Sequence, residues 1–266
     1  MYAFDYQRPA GLDEALAALR AGEDVKLLAG GQTLLPTLKQ RLAQPSALVD
    51  LAAIPALSRI EHSQYFLTIG AMTRHADVAA SPMVAEAIPA LAELAGLIGD
   101  PAVRNRGTIG GSIANNDPTA DYPAACLALG ATIVTSARRI AAEDFFTGLF
   151  ETALAEDEVI LAVEFPVGAR AAYRKFRNPA SRYAMAGVFV AARDGDVRVA
   201  VTGAGQGGVF RWSDAEAALA ADFSPAALDA LTLDPSDVMA DLHGGAEYRA
   251  QLVKVMAKRA VAAIAG

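Results

Sequence analysis

The sequence predicts a fold of mixed helices and sheets that is divided into more than one unit. Three observations support this prediction. A strand–helix–strand pattern lies near the N-terminus, extended apolar runs recur through the middle, and Asp194-Gly195 separates two further apolar runs. An Asp-Gly pair between such runs is the strongest short-range signal of a β-hairpin. At 266 residues the chain is long enough for one large domain or two modest ones.

The N-terminal part predicts a small β-α-β unit. Leu12, Leu16 and Leu19 have the spacing of one helix face, and Gly22 ends that helix. A buried strand, a helix with proline in its first turn and a second strand then follow, over residues 25–29, 36–42 and 47–51.

The middle of the chain combines paired strands with apolar helices. Residues 57–61 and 65–70 have the pattern of two paired strands, and residues 83–98 have an apolar helical pattern that Pro89 interrupts. The remaining elements are a helix over 123–129 and strands over 131–135, 158–165 and 171–177.

A change of composition marks the start of the C-terminal part. Pro166, Gly168 and the alanine-rich residues 169–172 form the boundary. Beyond it, residues 186–192 and 197–202 are the two strands of the Asp194-Gly195 hairpin. The remainder is mostly helical and ends in an amphipathic segment over 246–265.

Charge and composition exclude several classes of function. The net charge is −7 with no basic cluster, which argues against nucleic acid as a partner. Cys126 is the one cysteine, and the three histidines lie far apart, so no disulfide, iron–sulfur cluster or zinc site is expected within the chain. No signal peptide or membrane-spanning run is apparent, which predicts a cytoplasmic protein without membrane insertion.

Two short stretches with paired glycines are the most informative motifs. They are AGGQTLLP over residues 29–36 and TIGGSIAN over residues 108–115, and neither contains an acidic residue. Clustered backbone N–H groups can bind an anion without lysine. Because the two stretches lie about 80 residues apart, they suggest one long anionic ligand held at two places, as a dinucleotide pyrophosphate would be.

A third glycine run, Gly203 to Gly208, matches G-x-G-x-x-G but predicts a connection. A dinucleotide fingerprint needs a helix that begins inside the motif. Here Val209 to Trp212 are poor residues for starting a helix, and Ser213 with Glu216 forms a capping-box pattern five residues later. We therefore expect no nucleotide at this run.

The run IGDPAVRNRGTIGGSIANNDPTAD over residues 98–121 closely resembles a family signature. It is similar to the FAD-binding medium subunit of molybdenum hydroxylases, the carbon monoxide dehydrogenase and xanthine dehydrogenase group. Residues 29–36, 152–154, 158–160 and 243–249 resemble further segments of that family in the same order. One departure is Gln32-Thr33, where the carbon monoxide dehydrogenase type commonly has histidine and serine. Both pairs can form hydrogen bonds, so the departure weakens only carbon monoxide as the substrate.

The resemblance implies an α+β fold of the vanillyl-alcohol-oxidase (PCMH) type. Residues 1–167 would form an FAD-binding domain of two α+β subdomains that divide near 52–57. Residues 168–266 would form a C-terminal domain with a three-stranded antiparallel sheet and helices.

The resemblance also implies which residues bind FAD. They are Ala29, Gly30, Gly31, Gln32, Thr33, Leu34, Leu35, Pro36, Gly99, Thr108, Gly110, Gly111, Ser112, Asp121, Ile160 and Lys175. Residues 29–36 would wrap the pyrophosphate and its ribose, and Thr108 with 110–112 would hold the other side of the phosphates. Gly99 would lie by the adenosine half, Asp121 by the flavin half, and Ile160 against the adenine or ring faces. Lys175 would lie near the isoalloxazine or its neighbouring chain.

The implied function is electron transfer. FAD here would receive electrons from two [2Fe-2S] clusters on a small subunit, while a large subunit with molybdopterin oxidises the substrate, in a dimer of heterotrimers. No side chain of this chain would act as a catalytic nucleophile, acid or base, and none would bind a metal. Two alternatives remain, namely a self-sufficient flavin oxidase or reductase and a nucleotide-binding module without redox activity.

Several side chains have two interpretations. Asp117 and Asp121 could form a catalytic carboxylate pair, but a turn role for Asp117 is favoured. Arg104 and Arg106 could contact phosphate or solvent. Tyr183 could shield a flavin ring or pack as an ordinary aromatic residue. Cys126, in an apolar run, is expected to be a small core residue.

Overall fold

The computed structural model describes residues 1–265 and contains three units, each with its own sheet. The first unit has a three-stranded parallel sheet in the order β1-β3-β2. Its elements are β1 (Asp5–Gln7), α1 (Leu12–Arg20), β2 (Val25–Leu28), α2 (Leu34–Lys39) and β3 (Ala47–Asp50). The expected β-α-β unit is present. Helix α2 ends at Lys39, before the predicted end at residue 42, because Arg41 has a left-handed backbone with φ of 60°.

The second unit has a five-stranded antiparallel sheet in the order β4-β5-β10-β6-β7, covered by helices. Its strands are β4 (Ile60–His62), β5 (Phe66–Gly70), β6 (Thr132–Thr135), β7 (Arg139–Ala141) and β10 (Ile160–Pro166), and a separate hairpin joins β8 (Phe146–Gly148) to β9 (Glu151–Thr152). Its helices are α3 (His75–Ala80), α4 (Pro82–Ala87), α5 (Pro89–Gly96), α6 (Pro101–Arg104), α7 (Ile109–Asn115), α8 (Tyr122–Leu129) and α9 (Ala142–Phe145).

The third unit has a four-stranded antiparallel sheet, one strand more than the sequence predicts. It consists of β11 (Arg170–Arg177), β12 (Ala184–Arg193), β13 (Asp196–Thr202) and β14 (Phe210–Arg211), with α10 (Ser213–Ala221) and α11 (Ala246–Ala265). The three long strands are those expected. The fourth strand has only two residues, which is too short to give an alternating sequence pattern. Asp194 and Gly195 both have positive φ, as a two-residue hairpin turn of type I′ requires.

The Gly203–Gly208 run connects β13 to β14 and does not begin a helix, as expected. The capping box beside it is wrong. Trp212 is the N-cap residue, and its side chain makes no capping bond. Glu216 instead accepts a hydrogen bond from the backbone N–H of Val199 at 2.9 Å and pairs with Arg211. The Glu216 carboxylate thus bonds to strand β13 and does not cap the start of its own helix, as the capping box would require.

Helix α8 joins the second and third units. All eight of its residues are buried, Cys126 among them, because α8 packs between the five-stranded sheet and strands β12 and β13. The core around α8 includes Tyr173 and Phe189 of the third unit. The third unit therefore shares a core with the second and fixes the position of the segment that precedes α8. No helix within residues 1–265 is both long and apolar enough to cross a bilayer.

Candidate functional site

The two stretches with paired glycines, residues 29–36 (the first glycine loop) and 108–115 (the second glycine loop), lie against each other. A Cβ added to Gly30 would overlap the carbonyl oxygen of Arg106 and lie 2.7 Å from the Cα of Gly107. A Cβ added to Gly110 would lie 2.7 Å from the carbonyl oxygen of Ala71. These two glycines allow backbone to pack on backbone within the protein, which is a different role from the close approach of a ligand that the sequence suggests.

A cavity of about 600 Å³ lies along both loops and reaches the start of the third unit. Its volume is typical of ligand sites. Of the sixteen residues predicted to bind FAD, all but Leu35 and Pro36 line this cavity. Leu35 and Pro36 lie in the first turn of α2, and the Leu35 side chain packs beside Gly31 instead.

The backbone N–H groups of the first loop are free to bind a ligand. Within residues 1–265, the N–H groups of residues 29–34 donate to no protein acceptor. Gly31 has φ of +70°, a conformation that glycine adopts without strain, and this turns the chain around the cavity wall. Six consecutive unpartnered donors next to a cavity are available to bind an anion, as in an anion-binding nest.

The second loop contributes no such run of donors, because the N–H groups of residues 109–112 bond within the protein. Two of these groups donate to another segment: Ile109 N to Thr73 O at 3.1 Å and Gly110 N to Ala71 O at 2.8 Å. The other two donate to Thr108: Gly111 N to its Oγ1 at 3.1 Å and Ser112 N to its carbonyl oxygen at 3.0 Å. The nest that the sequence suggests at both loops is therefore confined to the first. The second loop offers the hydroxyls of Thr108 and Ser112 and the positive end of the short helix α7.

Asp121 and Lys175, which also line the cavity, form a buried ion pair. Their side chains are 4% and 2% exposed, and Lys175 Nζ lies 2.9 Å from the Asp121 carboxylate. Tyr173 donates its hydroxyl hydrogen bond to Asp121. Burial raises the pKa of the Asp121 carboxyl, while the Lys175 ammonium and the Tyr173 hydroxyl oppose that rise. Burial and the Asp121 charge raise the pKa of Tyr173 well above its usual value, so the phenol stays protonated.

Asp117 has a turn role, as the sequence favours. Its Oδ1 accepts from the backbone N–H of Thr119 at 2.8 Å and from the Thr119 hydroxyl at 2.6 Å. Arg104 donates to the carbonyl oxygens of Ile98 and Gly99, which fixes the loop at the cavity edge. Tyr183 lines the cavity and remains half exposed.

No sequence motif indicates His75, which also lines the cavity. It begins α3, its ring lies 5.4 Å from that of Tyr122, and its Nδ1 is buried without a partner in the described chain. Burial, and secondarily the charge of Arg104, lower the pKa of His75 to about 4. The imidazole is therefore neutral at pH 7 and adds no charge to the cavity.

Glu158, which also lines the cavity, connects three segments of the second unit. Its carboxylate accepts from the Thr135 hydroxyl, from Arg138 at 3.1 Å and from the backbone N–H of Ala155 at 3.0 Å. Burial raises the pKa of Glu158, but these hydrogen bonds and the Arg138 charge outweigh it and lower the pKa to about 2. Glu158 thereby fixes the segment that carries Ile160 to the cavity.

We expect Glu158→Gln to lower the free energy of unfolding by about 2 to 3 kcal/mol at pH 7. The folded pKa of Glu158 is depressed, so its stabilisation is present above the ordinary glutamate pKa and is lost as pH falls from about 4.5 to about 2. Urea unfolding between pH 7 and pH 3 measures the difference. Glu156→Gln, an exposed neighbour, is the control. A difference between Glu158→Gln and wild type that does not shrink on acidification would contradict the assignment.

Similarity to known proteins shows the family of this chain. A family model described as the FAD binding domain in molybdopterin dehydrogenase matches residues 2–168. The chain belongs to this family, and it is an FAD-binding oxidoreductase component.

Three relatives show how far the similarity extends. The nicotine 6-hydroxylase medium subunit of Paenarthrobacter nicotinovorans is 37% identical, over 97% of this chain and 96% of that protein. The carbon monoxide dehydrogenase of Hydrogenophaga pseudoflava has a TM-score of 0.89 with 38% identity, covering 99% of this chain and 97% of that one. Quinoline 2-oxidoreductase from Pseudomonas putida 86 has a TM-score of 0.85 with 31% identity, covering 99% and 97%. The predicted family and the PCMH-type fold are confirmed.

The residues of the cavity fit FAD. The nest of residues 29–34 suits a pyrophosphate, because backbone donors there have no other acceptor. Apolar side chains of Ile98, Val103 and Ile160 supply faces on which flat rings can pack. Asp121 and Lys175 supply the few polar groups that orient a ligand.

Proposed function

We propose that this chain is the electron-transfer subunit of a multisubunit molybdenum hydroxylase and carries FAD in the cavity that both glycine loops line. The observation that carries the proposal is the single cavity that joins the unpartnered N–H groups of residues 29–34 to the Asp121–Lys175 pair. An anion site and a compensated polar pair in one cavity match a dinucleotide with a redox ring.

Each group of residues has a task in this proposal. Residues 29–34 bind the pyrophosphate, Thr108 and residues 110–112 hold its other side, and Gly99 and Ile160 contact the adenosine or ring faces. Asp121 and Lys175 orient the flavin half. FAD supplies the redox chemistry when bound, and the protein supplies binding, orientation and electrostatics. Leu35 and Pro36 act indirectly, since they hold the loop on α2.

The proposal also divides the chain into domains. Residues 1–167 form the FAD-binding domain, with its subdomains meeting near 52–57, and residues 168–266 form the C-terminal domain. The chain changes from the five-stranded to the four-stranded sheet between β10 and β11, which supports this division.

The partners are a large molybdopterin-binding subunit and a small iron–sulfur subunit, in a cytoplasmic dimer of heterotrimers. Relatives of this fold are named for nicotine, carbon monoxide and quinoline. One medium-subunit fold thus occurs with three unlike substrates, which supports the assignment of substrate selection to another subunit.

The purified chain alone should bind one FAD and should not oxidise nicotine, carbon monoxide, quinoline or aldehydes. The reason is that substrate oxidation belongs to the molybdenum site of a partner. The measurement is flavin content, followed by a dye-reduction assay with each substrate. A chemical reductant such as dithionite, which must bleach the bound flavin, is the positive control. Turnover without partner subunits would favour a self-sufficient flavoenzyme, and absence of bound FAD would favour a nucleotide module of another kind.

A further inference from the structure

We propose that the sheet of the third unit holds one wall of the FAD cavity in place, and that Tyr173, Gly187 and Thr202 are positioning residues for this wall. The wall is the segment 117–121, of which Asp117, Ala120 and Asp121 line the cavity. The inference rests on the proposed function and extends it to residues that do not themselves line the cavity.

The backbone of the wall is bonded to the end of β13. The buried hydroxyl of Thr202 lies 3.0 Å from the carbonyl oxygen of Pro118 and 2.6 Å from that of Ala120. The N–H of Gly203 donates to the same Pro118 oxygen at 2.8 Å. Two consecutive residues of the third unit therefore satisfy acceptors of a segment that belongs to the second unit.

The side chain at the end of the wall is bonded to β11. Tyr173 and Lys175, two residues apart on one face of the strand, both donate to the Asp121 carboxylate. Lys175 also donates to the carbonyl oxygen of Leu97 at 3.3 Å. Asp121 is therefore held by groups of a strand more than fifty residues away in sequence.

Gly187, on the central strand β12, makes room for this arrangement. It lies opposite Lys175 in β11 and opposite Thr202 in β13. A Cβ added there would overlap the Tyr173 hydroxyl and lie 2.9 Å from Cγ2 of Thr202. Gly187 has no unusual backbone conformation, so its glycine is explained by the space that the Tyr173 phenol and the Thr202 methyl occupy.

Three adjacent strands thus present one polar face to the cavity wall. The hydroxyl of Tyr173 and the ammonium of Lys175 both stabilise the charged form of the Asp121 carboxylate, and Thr202 keeps the backbone that carries it in place. The consequence for a bound flavin is a fixed pair of opposite charges at the wall. Loss of the Tyr173 hydroxyl would leave the carboxylate with one donor fewer. The electrostatic field at a bound flavin would change as a result.

The test is a double-mutant cycle of Tyr173→Phe and Gly187→Ala in the full chain. The measured quantities are the Kd for FAD, the visible circular dichroism of the bound flavin and its midpoint potential. We expect Tyr173→Phe to raise the Kd about tenfold and to shift the midpoint potential, because a hydrogen bond to a buried charge is lost. Gly187→Ala should do at least as much. The double variant should be little worse than Gly187→Ala alone, since both changes remove the same contact.

Tyr65→Phe and Gly96→Ala are matched controls, because Tyr65 is exposed and Gly96 has open space around it. Thr202→Val tests the backbone contact with an isosteric side chain and should also weaken FAD binding. This variant keeps the test decisive if Gly187→Ala does not fold.

The outcomes separate the inference from the function on which it rests. If the wild-type chain binds no FAD, the proposed function fails. If the wild type binds FAD while Tyr173→Phe and Thr202→Val change only thermal stability, with Kd, dichroism and potential as in the wild type, the positioning role is refuted. Fully additive effects of Tyr173→Phe and Gly187→Ala would refute the role of Gly187.

Discussion

Gly111→Asp should abolish FAD binding and leave the fold intact. Gly111 lines the cavity, and an added Cβ would meet only Thr108 Oγ1 at 3.0 Å and Ala29 Cβ at 3.5 Å. The new carboxylate would lie beside the phosphates without a positive partner. At about 4 Å in a partly screened site, two like charges repel by about 4 kcal/mol, which corresponds to roughly a thousandfold rise in Kd. Flavin absorbance of the purified variant and titration of its apoprotein with FAD measure the loss.

Two variants control this experiment. Gly111→Ala adds the Cβ without the charge and should weaken FAD binding much less. Gly207→Asp adds the same charge in open space outside the cavity and should retain FAD. If Gly111→Asp purified with one FAD per chain, the placement of the second loop at the phosphates would be wrong.

Gly30→Ala should destabilise the protein even before FAD is considered. The added methyl group would overlap the backbone of Arg106, and backbone cannot swing aside as a flexible side chain can. The two loops would have to separate. We expect a loss of about 2 to 3 kcal/mol in the free energy of unfolding of the apoprotein, together with weaker FAD binding. Thermal and urea unfolding of the apoprotein measure it.

Gly11→Ala is the control for Gly30→Ala, because nothing lies within 4 Å of the Cβ it would add. An apoprotein of Gly30→Ala as stable as wild type, with FAD binding alone impaired, would mean that this glycine serves the ligand and not the contact between the loops.

Local chemistry explains what could be predicted from the sequence. The Asp194-Gly195 turn, the break at Pro89 and the strands β5, β6 and β10 follow from residues within a few positions of each other. The two glycine loops could be recognised as one site because each carries its own motif. Their resemblance to a family then located fourteen cavity residues at once.

The remaining features depend on pairs far apart in sequence. Nothing near Gly30 indicates that it packs on Arg106, and nothing near Glu216 indicates that Val199 would take its carboxylate. The second loop looks like an anion nest because its glycines are visible in the sequence. Two of the acceptors that occupy its N–H groups, Ala71 and Thr73, come from another segment, and Thr108 of the loop itself supplies the others.

The unpartnered N–H groups of residues 29–34 couple FAD binding to the stability of the folded chain. In the apoprotein these donors have no protein acceptor, and only solvent can bond to them. Bound FAD would supply the missing acceptors. A ligand present at a hundred times its Kd stabilises the folded state by about 2.7 kcal/mol. Supply of the flavin would then govern how much of the newly made chain escapes proteolysis and remains available for assembly.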